Sequence, residues 1–127
     1  MEGPIVQRSN DMSLYKMLLK KYADTLLSHQ FESEFPSMDG GIFCECCKVI
    51  HGRCIDAVYG LSIAYKVFRD EKYLKGAKKL LGYSSNLICL DGGIYNDLQT
   101  TWRFTTVFFV IDLAETLLYA KDVLPTS

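Results

Sequence analysis

Apolar positions recur along this chain in four stretches of helical spacing, and the four are of two kinds. In the first, roughly Ser13 to His29, Leu14, Leu18, Tyr22 and Leu26 recur every fourth position. Lys16, Lys20, Lys21 and Asp24 take other positions, so one side is solvated. The second, roughly His51 to Phe68, carries Ile55, Val58, Tyr59, Leu61, Ile63, Ala64, Tyr65, Val67 and Phe68 around nearly its whole circumference. The third, roughly Glu71 to Asn86, is one-sided again, with Tyr73, Leu74, Ala77, Leu80 and Leu81 on one face and Lys72, Lys75, Lys78 and Lys79 elsewhere. The fourth, roughly Thr100 to Ala120, is apolar almost all round, interrupted by Asp112 and Glu115. Pro36 and Gly40-Gly41 break the chain after the first stretch, and Arg69-Asp70-Glu71-Lys72 is a tight polar turn.

A helix that is apolar on all sides must be covered on more than one side. The order therefore predicts an all-α chain of two helical hairpins in which outer and inner helices alternate, the second and fourth segments being more buried than the first and third. An antiparallel four-helix bundle would instead show four similar stripes. An internal repeat supports the hairpins: Asp39-Gly40-Gly41-Ile42-Phe43 returns as Asp91-Gly92-Gly93-Ile94-Tyr95, each copy a few residues before an inner helix. Up-down hairpins place two such loops at the same end of the molecule. An aspartate beside two glycines more commonly shapes a turn than touches a ligand.

The chain has 127 residues, of which 49% are hydrophobic and 13% aromatic, enough for one packed domain. Residues 1–12 form an N-terminal tail, 13–50 the first outer helix and a Cys-rich loop, and 51–127 the remaining helices. Net charge is −1, which gives neither the basic excess of a nucleic-acid surface nor a polybasic membrane patch. The longest apolar run, Val107 to Ile111, is too short to span a bilayer. The first ten residues hold no apolar signal segment. Together with reduced thiols this implies a cytoplasmic location, or a periplasmic or secreted one if the true N-terminus lies upstream.

Four of the five cysteines and one of the two histidines fall between Cys44 and Cys54. Clustered cysteines do not close the long loops of a disulfide framework. Cys44 and Cys47 form a C-x2-C pair, and His51 and Cys54, three apart, share a face if a helix starts there. Cys44, Cys47, His51 and Cys54 are thus a candidate Cys3His zinc set, with Cys46 to spare; the competing reading is ordinary packed or exposed thiols. Cys89 is isolated and fits a core position, and His29 fits a charge at a helix C-terminus.

Asp-Gly-Gly-Ile before an inner helix, the turn Arg69-Asp70-Glu71-Lys72-Tyr73-Leu74, and His51-Gly52-Arg53-Cys54-Ile55-Asp56-Ala57-Val58-Tyr59 resemble (α/α)-toroid carbohydrate-active enzymes. Among these the resemblance points to heparinase II/III-like polysaccharide lyases and related proteins of gut Bacteroides, over roughly residues 35 to 120. A family toroid has more hairpins than two and usually a following β-sandwich, so the resemblance implies the N-terminal part of such an enzyme, a truncated frame or a small relative. It also implies a ligand mouth where the loops before the inner helices converge. The residues there are His51, Arg53 and Asp56 on one side and Asp91, Tyr95, Asn96, Asp97, Trp102 and Arg103 on the other.

Elimination beside a uronate needs a neutralised carboxylate, a base and an acid. Asn96 or Arg103 would hold the carboxylate, and His51 or Tyr95 would move the proton. Arg53, Asp56, Asp91, Asp97 and Trp102 would contact the sugar. The plainer alternative packs Trp102 under its helix and pairs Arg103 with Asp56 or Asp97. Paired acids such as Asp91 and Asp97 would suit hydrolysis instead. Three functions compete: part of a lyase-like protein acting on acidic polysaccharide, completed by self-association or a downstream domain; a small zinc-stabilised interaction module; and a helical-repeat scaffold without activity.

Overall fold

The structure, a computed structural model, describes residues 11–96 and 105–123. Helix α1 spans Asp11–Ser28, α2 Ala57–Phe68, α3 Glu71–Ser84 and α4 Thr105–Tyr119. A ribbon of two short antiparallel strands, β1 (Phe43–Cys44) and β2 (Val49–Ile50), lies between α1 and α2. A 3-10 turn, Gly52–Asp56, leads into α2, and another, Lys121–Val123, follows α4. The all-α class expected from periodicity is what the chain adopts. No helix among the described residues is long and apolar enough to cross a membrane.

The turn between α2 and α3 shows how local chemistry sets the hairpin. Arg69 ends α2 in the left-handed conformation, φ +53, and its N–H returns to Tyr65 O at 2.7 Å. Asp70 then caps α3, its Oδ1 accepting from the Lys72 N–H at 3.1 Å. The hairpin closes on a core of Val58, Leu61 and Ala64 from α2 and Tyr73, Ala77, Leu80 and Tyr83 from α3, joined by Ala23 of α1, Ile55, Leu87, Ile94 and Phe109. Each large side chain removed from water in this way contributes about 1.5–3 kcal/mol. The Tyr73 ring is fully buried, but its hydroxyl reaches the rim and donates to Asp24 Oδ1 at 2.6 Å. Lys72 and Lys20 also reach Asp24, at 3.0 and 3.3 Å, which ties α1 to α3.

The burial order differs from the sequence expectation. The Lys-rich α3 buries Tyr73, Gly76, Ala77, Leu80, Tyr83 and Ser84, and α2 buries Val58, Leu61, Ser62 and Ala64. In α4 only Phe109 and Thr116 are buried among the described side chains, while Val107, Val110, Ile111, Leu117, Leu118 and Tyr119 are exposed. A one-sided helix can sit deep when neighbours converge on its apolar stripe. A helix apolar all round stays exposed wherever no neighbour reaches it.

The internal repeat is carried by the backbone as well as the sequence. After α1, the Phe43 N–H donates to His29 O (2.9 Å), Phe31 N–H to Gly41 O (2.8 Å) and Gly40 N–H to Phe31 O (3.0 Å). After α3, the Tyr95 N–H donates to Leu87 O (3.3 Å), Cys89 N–H to Gly93 O (2.8 Å) and Gly92 N–H to Cys89 O (2.9 Å). Antiparallel bridges join Gln30 to Ile42 and Ile88 to Ile94 at matching places. Gly40 and Gly92 take the same left-handed conformation, φ +87 and +85, which glycine adopts without steric cost. The first loop is the longer, with residues 32–37 inserted into the frame.

Both loops lie at one end of the molecule, as expected, because α1 and α3 finish there and α2 begins there. The Asn86 side chain donates to Pro36 O at 2.8 Å, and the Gly52 N–H bonds to Asn96 O.

Candidate functional site

The two repeat loops meet at Gly52. A Cβ at this position would collide with the carbonyls of Tyr95 and Asn96, so only glycine allows the loop before α2 to touch the loop leading to α4. His51 and Arg53 flank the contact on one side, Tyr95 and Asn96 on the other. The structure thus brings together four of the residues proposed from sequence. Asp97, Trp102 and Arg103 lie outside the described residues.

Arg53 is held in place from two sides. Its Nε lies 3.4 Å from Asp56 Oδ2, and its guanidinium stacks 4.1 Å from the centre of the Phe108 ring. Among the described residues, Arg53 is the cation paired with Asp56. Asp56 precedes α2, but its side chain makes no cap hydrogen bond. Its Oδ1 is buried and meets no hydrogen-bond partner among the described residues.

The neighbour that matters is Asp112 of α4. Burial, then the charge of Asp56, pushes the Asp112 carboxyl up to about 6, with Glu115 adding to the rise and Arg53 opposing it. Burial also raises Asp56, and hydrogen bonding to Arg53 offsets this. The interaction between the two carboxyls raises Asp112 and lowers Asp56, so of the two Asp112 holds its proton the more tightly. Asp112 is the residue that sequence reasoning passed over. The available signal was a carboxylate inside an otherwise apolar run.

Asp91 shapes its own turn, accepting from the Gly93 N–H at 3.0 Å. Asp39 does the same for the first loop, accepting from the Ser33 N–H at 3.0 Å, with Lys79 Nζ at 3.5 Å. The turn-forming role is the one these hydrogen bonds describe.

Of the proposed metal set, Cys44, Cys47 and His51 have ligand atoms within 4.8 Å of one another. Cys54 is not among them and is a correction. The i, i+3 argument assumed a helix from His51, but His51 is extended (φ −81, ψ 140) and the 3-10 turn begins only at Gly52. Cys54 instead turns inward, its Sγ accepting the Ile42 N–H at 3.5 Å, and burial pushes its thiol up to about 11. Cys44 is shifted the other way, below the ordinary thiol range, chiefly by the Cys47 N–H. Cys47 is raised by its hydrogen bond to Cys44.

Two hollows flank the ribbon. The larger, about 430 Å3, is lined mainly by Phe31, Met38, Phe43, Val49, Ile50, Tyr83 and Leu87, with Lys48 and Asn86 at its polar edge. The smaller, about 330 Å3, is lined by Cys44, His51, Arg53 and Cys54 together with Leu26, Ile42, Phe43 and Ala57. Only the smaller one holds proposed site residues. The larger is too apolar to be matched with an acidic ligand on lining alone.

An all-helical unit built of repeated hairpins, with polar and aromatic residues gathered where its loops converge, is matched over residues 19–127 by the ulvan lyase N-terminal domain family. The chain belongs to that family. It is 33% identical over 115 residues to a broad-specificity ulvan lyase of Formosa agariphila, a match covering 88% of this chain and 18% of that protein. The chain thus spans less than a fifth of that relative's length. No solved structure matches it. The resemblance to polysaccharide lyases holds at the level of the family.

Proposed function

We propose that this chain is the N-terminal helical part of a polysaccharide lyase acting on ulvan, and that it forms one arc of an (α/α) toroid. The observation that carries the reading is the paired-loop geometry. Two copies of one hydrogen-bonded loop lie at one end, and the chain following each meets the other at Gly52 and Asn96. In this arc, Arg53 supplies a positive charge for an acidic sugar, and Tyr95 and Asn96 supply an aromatic platform and hydrogen bonds. Asp56, paired with Arg53 Nε, orients the guanidinium, so Asp56 acts through Arg53. Asp97, Trp102 and Arg103 belong to the same proposed wall by sequence position.

Elimination needs acid, base and charge-stabilising groups held together in advance of reaction. One arc presents part of such a set, and further hairpins would complete it, packing on the exposed face of α4. The chain by itself is therefore expected to hold ulvan weakly and to turn it over little or not at all. The test combines affinity electrophoresis in ulvan gels with an ultraviolet assay for unsaturated uronate products. Retardation that disappears in the Arg53→Ala, Tyr95→Ala double variant is the expected result. No retardation of the wild-type chain would overturn the reading of the mouth, and efficient turnover by a monomer would overturn its incompleteness.

A further inference from the structure

We propose that Cys44, Cys47 and His51 bind a single zinc ion that clamps the β1–β2 ribbon to the start of α2. This proposal stands on the donor geometry and does not depend on the lyase reading. The ribbon pairs Phe43 with Ile50 and Cys44 with Val49, which brings the strand leading to His51 beside the first cysteine. The turn between the strands is closed by the Lys48 N–H donating to Cys44 O at 2.8 Å. Lys48 itself is left-handed, φ +59, a conformation that a lysine adopts at a cost of about 1–2 kcal/mol. That tight turn folds the C-x2-C segment back so that both sulfurs face one point.

The ligand atoms of Cys44, Cys47 and His51 all lie within 4.8 Å of one another, close enough to converge on one ion with small side-chain rotations. All the cysteines are free thiols. Nδ1 of His51 is buried with no hydrogen-bond partner among the described residues, an arrangement that a metal bond or a metal-induced ring rotation would relieve. Two thiolates and an imidazole select zinc over the hard cations magnesium and calcium, which take oxygen ligands. The fourth tetrahedral position falls to solvent in this three-residue set.

The site has a consequence for the mouth. His51 immediately precedes Gly52, whose N–H holds the Asn96 carbonyl. A zinc ion on His51 would fix the junction of the two repeat loops, and a ligated imidazole is not available as a base. His51 is thereby assigned to zinc, and proton transfer falls to other groups.

The test is the zinc content of the chain, purified under reducing conditions without chelator, measured by inductively coupled plasma mass spectrometry. Replacement by cobalt then reads the ligands through a thiolate charge-transfer band and tetrahedral visible bands. Equimolar zinc is expected in the wild type. Cys44→Ser, Cys47→Ser and His51→Gln should each lower retention by about tenfold or more, because each removes a direct ligand. Cys46→Ser, Cys54→Ser and Cys89→Ser should keep it. Circular dichroism on every variant separates metal loss from unfolding, and chelation of the folded wild type gives the same answer without substitution. A wild-type chain that stays metal-free on zinc titration would overturn the proposal. So would a Cys44–Cys47 disulfide in the reduced preparation, or zinc loss in folded Cys54→Ser equal to that in Cys44→Ser.

Discussion

Helices α2 and α4 have the same kind of sequence and different surroundings. Both are apolar almost all round, and both follow an Asp-Gly-Gly loop. Helix α2 packs against α1, α3 and α4, and its Leu61 is 0% exposed. Helix α4 packs on α2 and the 3-10 turn before it, and its Leu118 is 74% exposed. The difference teaches that all-round apolarity records how many faces a helix can have covered, not how many are covered within one short stretch of chain. Helix α2 is thus enclosed on three sides by the chain's own helices, while much of the apolar surface of α4 is left uncovered among the described residues.

The sharpest way to break the comparison is to truncate one leucine in each helix. Leu61→Ala should cost about 2–5 kcal/mol, because it opens a cavity in a closed core. Leu118→Ala should change stability by less than about 0.5 kcal/mol, as for an ordinary surface position. Urea denaturation of both variants measures this, and equal losses would show that α4 is covered in the isolated chain.

The two loops offer a second contrast. Gly40 and Gly92 share a left-handed conformation, but a Cβ on Gly40 would collide with the Lys79 carbonyl, whereas none on Gly92 meets an atom within 4 Å. Gly92→Ala should cost about 1–2 kcal/mol from backbone strain alone. Gly40→Ala should cost more, and thermal melts of the pair give the order. A larger loss at Gly92 would contradict the tighter packing of the first loop.

A third test concerns the half-buried Asp112 carboxyl of α4. The Asp112 carboxyl is raised to about 6 in the folded chain, above its ordinary value, so the folded state binds the extra proton. Stability from this group is present in acid and falls as pH rises through about 4 to 6. Burial raises it most, Asp56 and Glu115 raise it further, and Arg53 opposes the rise. Asp112→Asn should flatten that part of the stability profile and leave the variant more stable than wild type at neutral pH. Asp24 has the opposite sign. Its hydrogen bonds to Tyr73 and Lys72 hold it down to about 2, so its contribution is present at neutral pH and is lost only as pH falls below about 4 towards 2. Asp24→Asn should therefore destabilise the neutral protein and reduce its acid sensitivity, the smaller effect of the two because the group is exposed.

Much of this was legible in the sequence, for identifiable reasons. The helices announce themselves by spacing, and the polar turn at Arg69-Asp70 by its composition. The repeated Asp-Gly-Gly-Ile marks a repeated backbone frame because its first glycine must be left-handed. The β1–β2 ribbon is not legible, since strands of two residues have no period to detect. The burial order is not legible either, because periodicity reports which face of α3 is apolar and says nothing of how many neighbours converge on it. Cys54 is misplaced by assuming an α-helix from His51, when the chain there is extended and then 3-10. Asp112 escapes because a carboxylate in an apolar run looks like an interruption until its neighbour Asp56 is seen.

The central claim is that the exposed apolar face of α4 is a packing surface, and sedimentation velocity of the isolated chain tests it most directly. The account predicts a dimer or larger assembly at micromolar concentration, shifted towards monomer by Val110→Glu with Leu117→Glu, two exposed positions whose change leaves the described core intact. A wild-type chain that sediments as a single monomeric species across that range, without binding a hydrophobic dye, would contradict it.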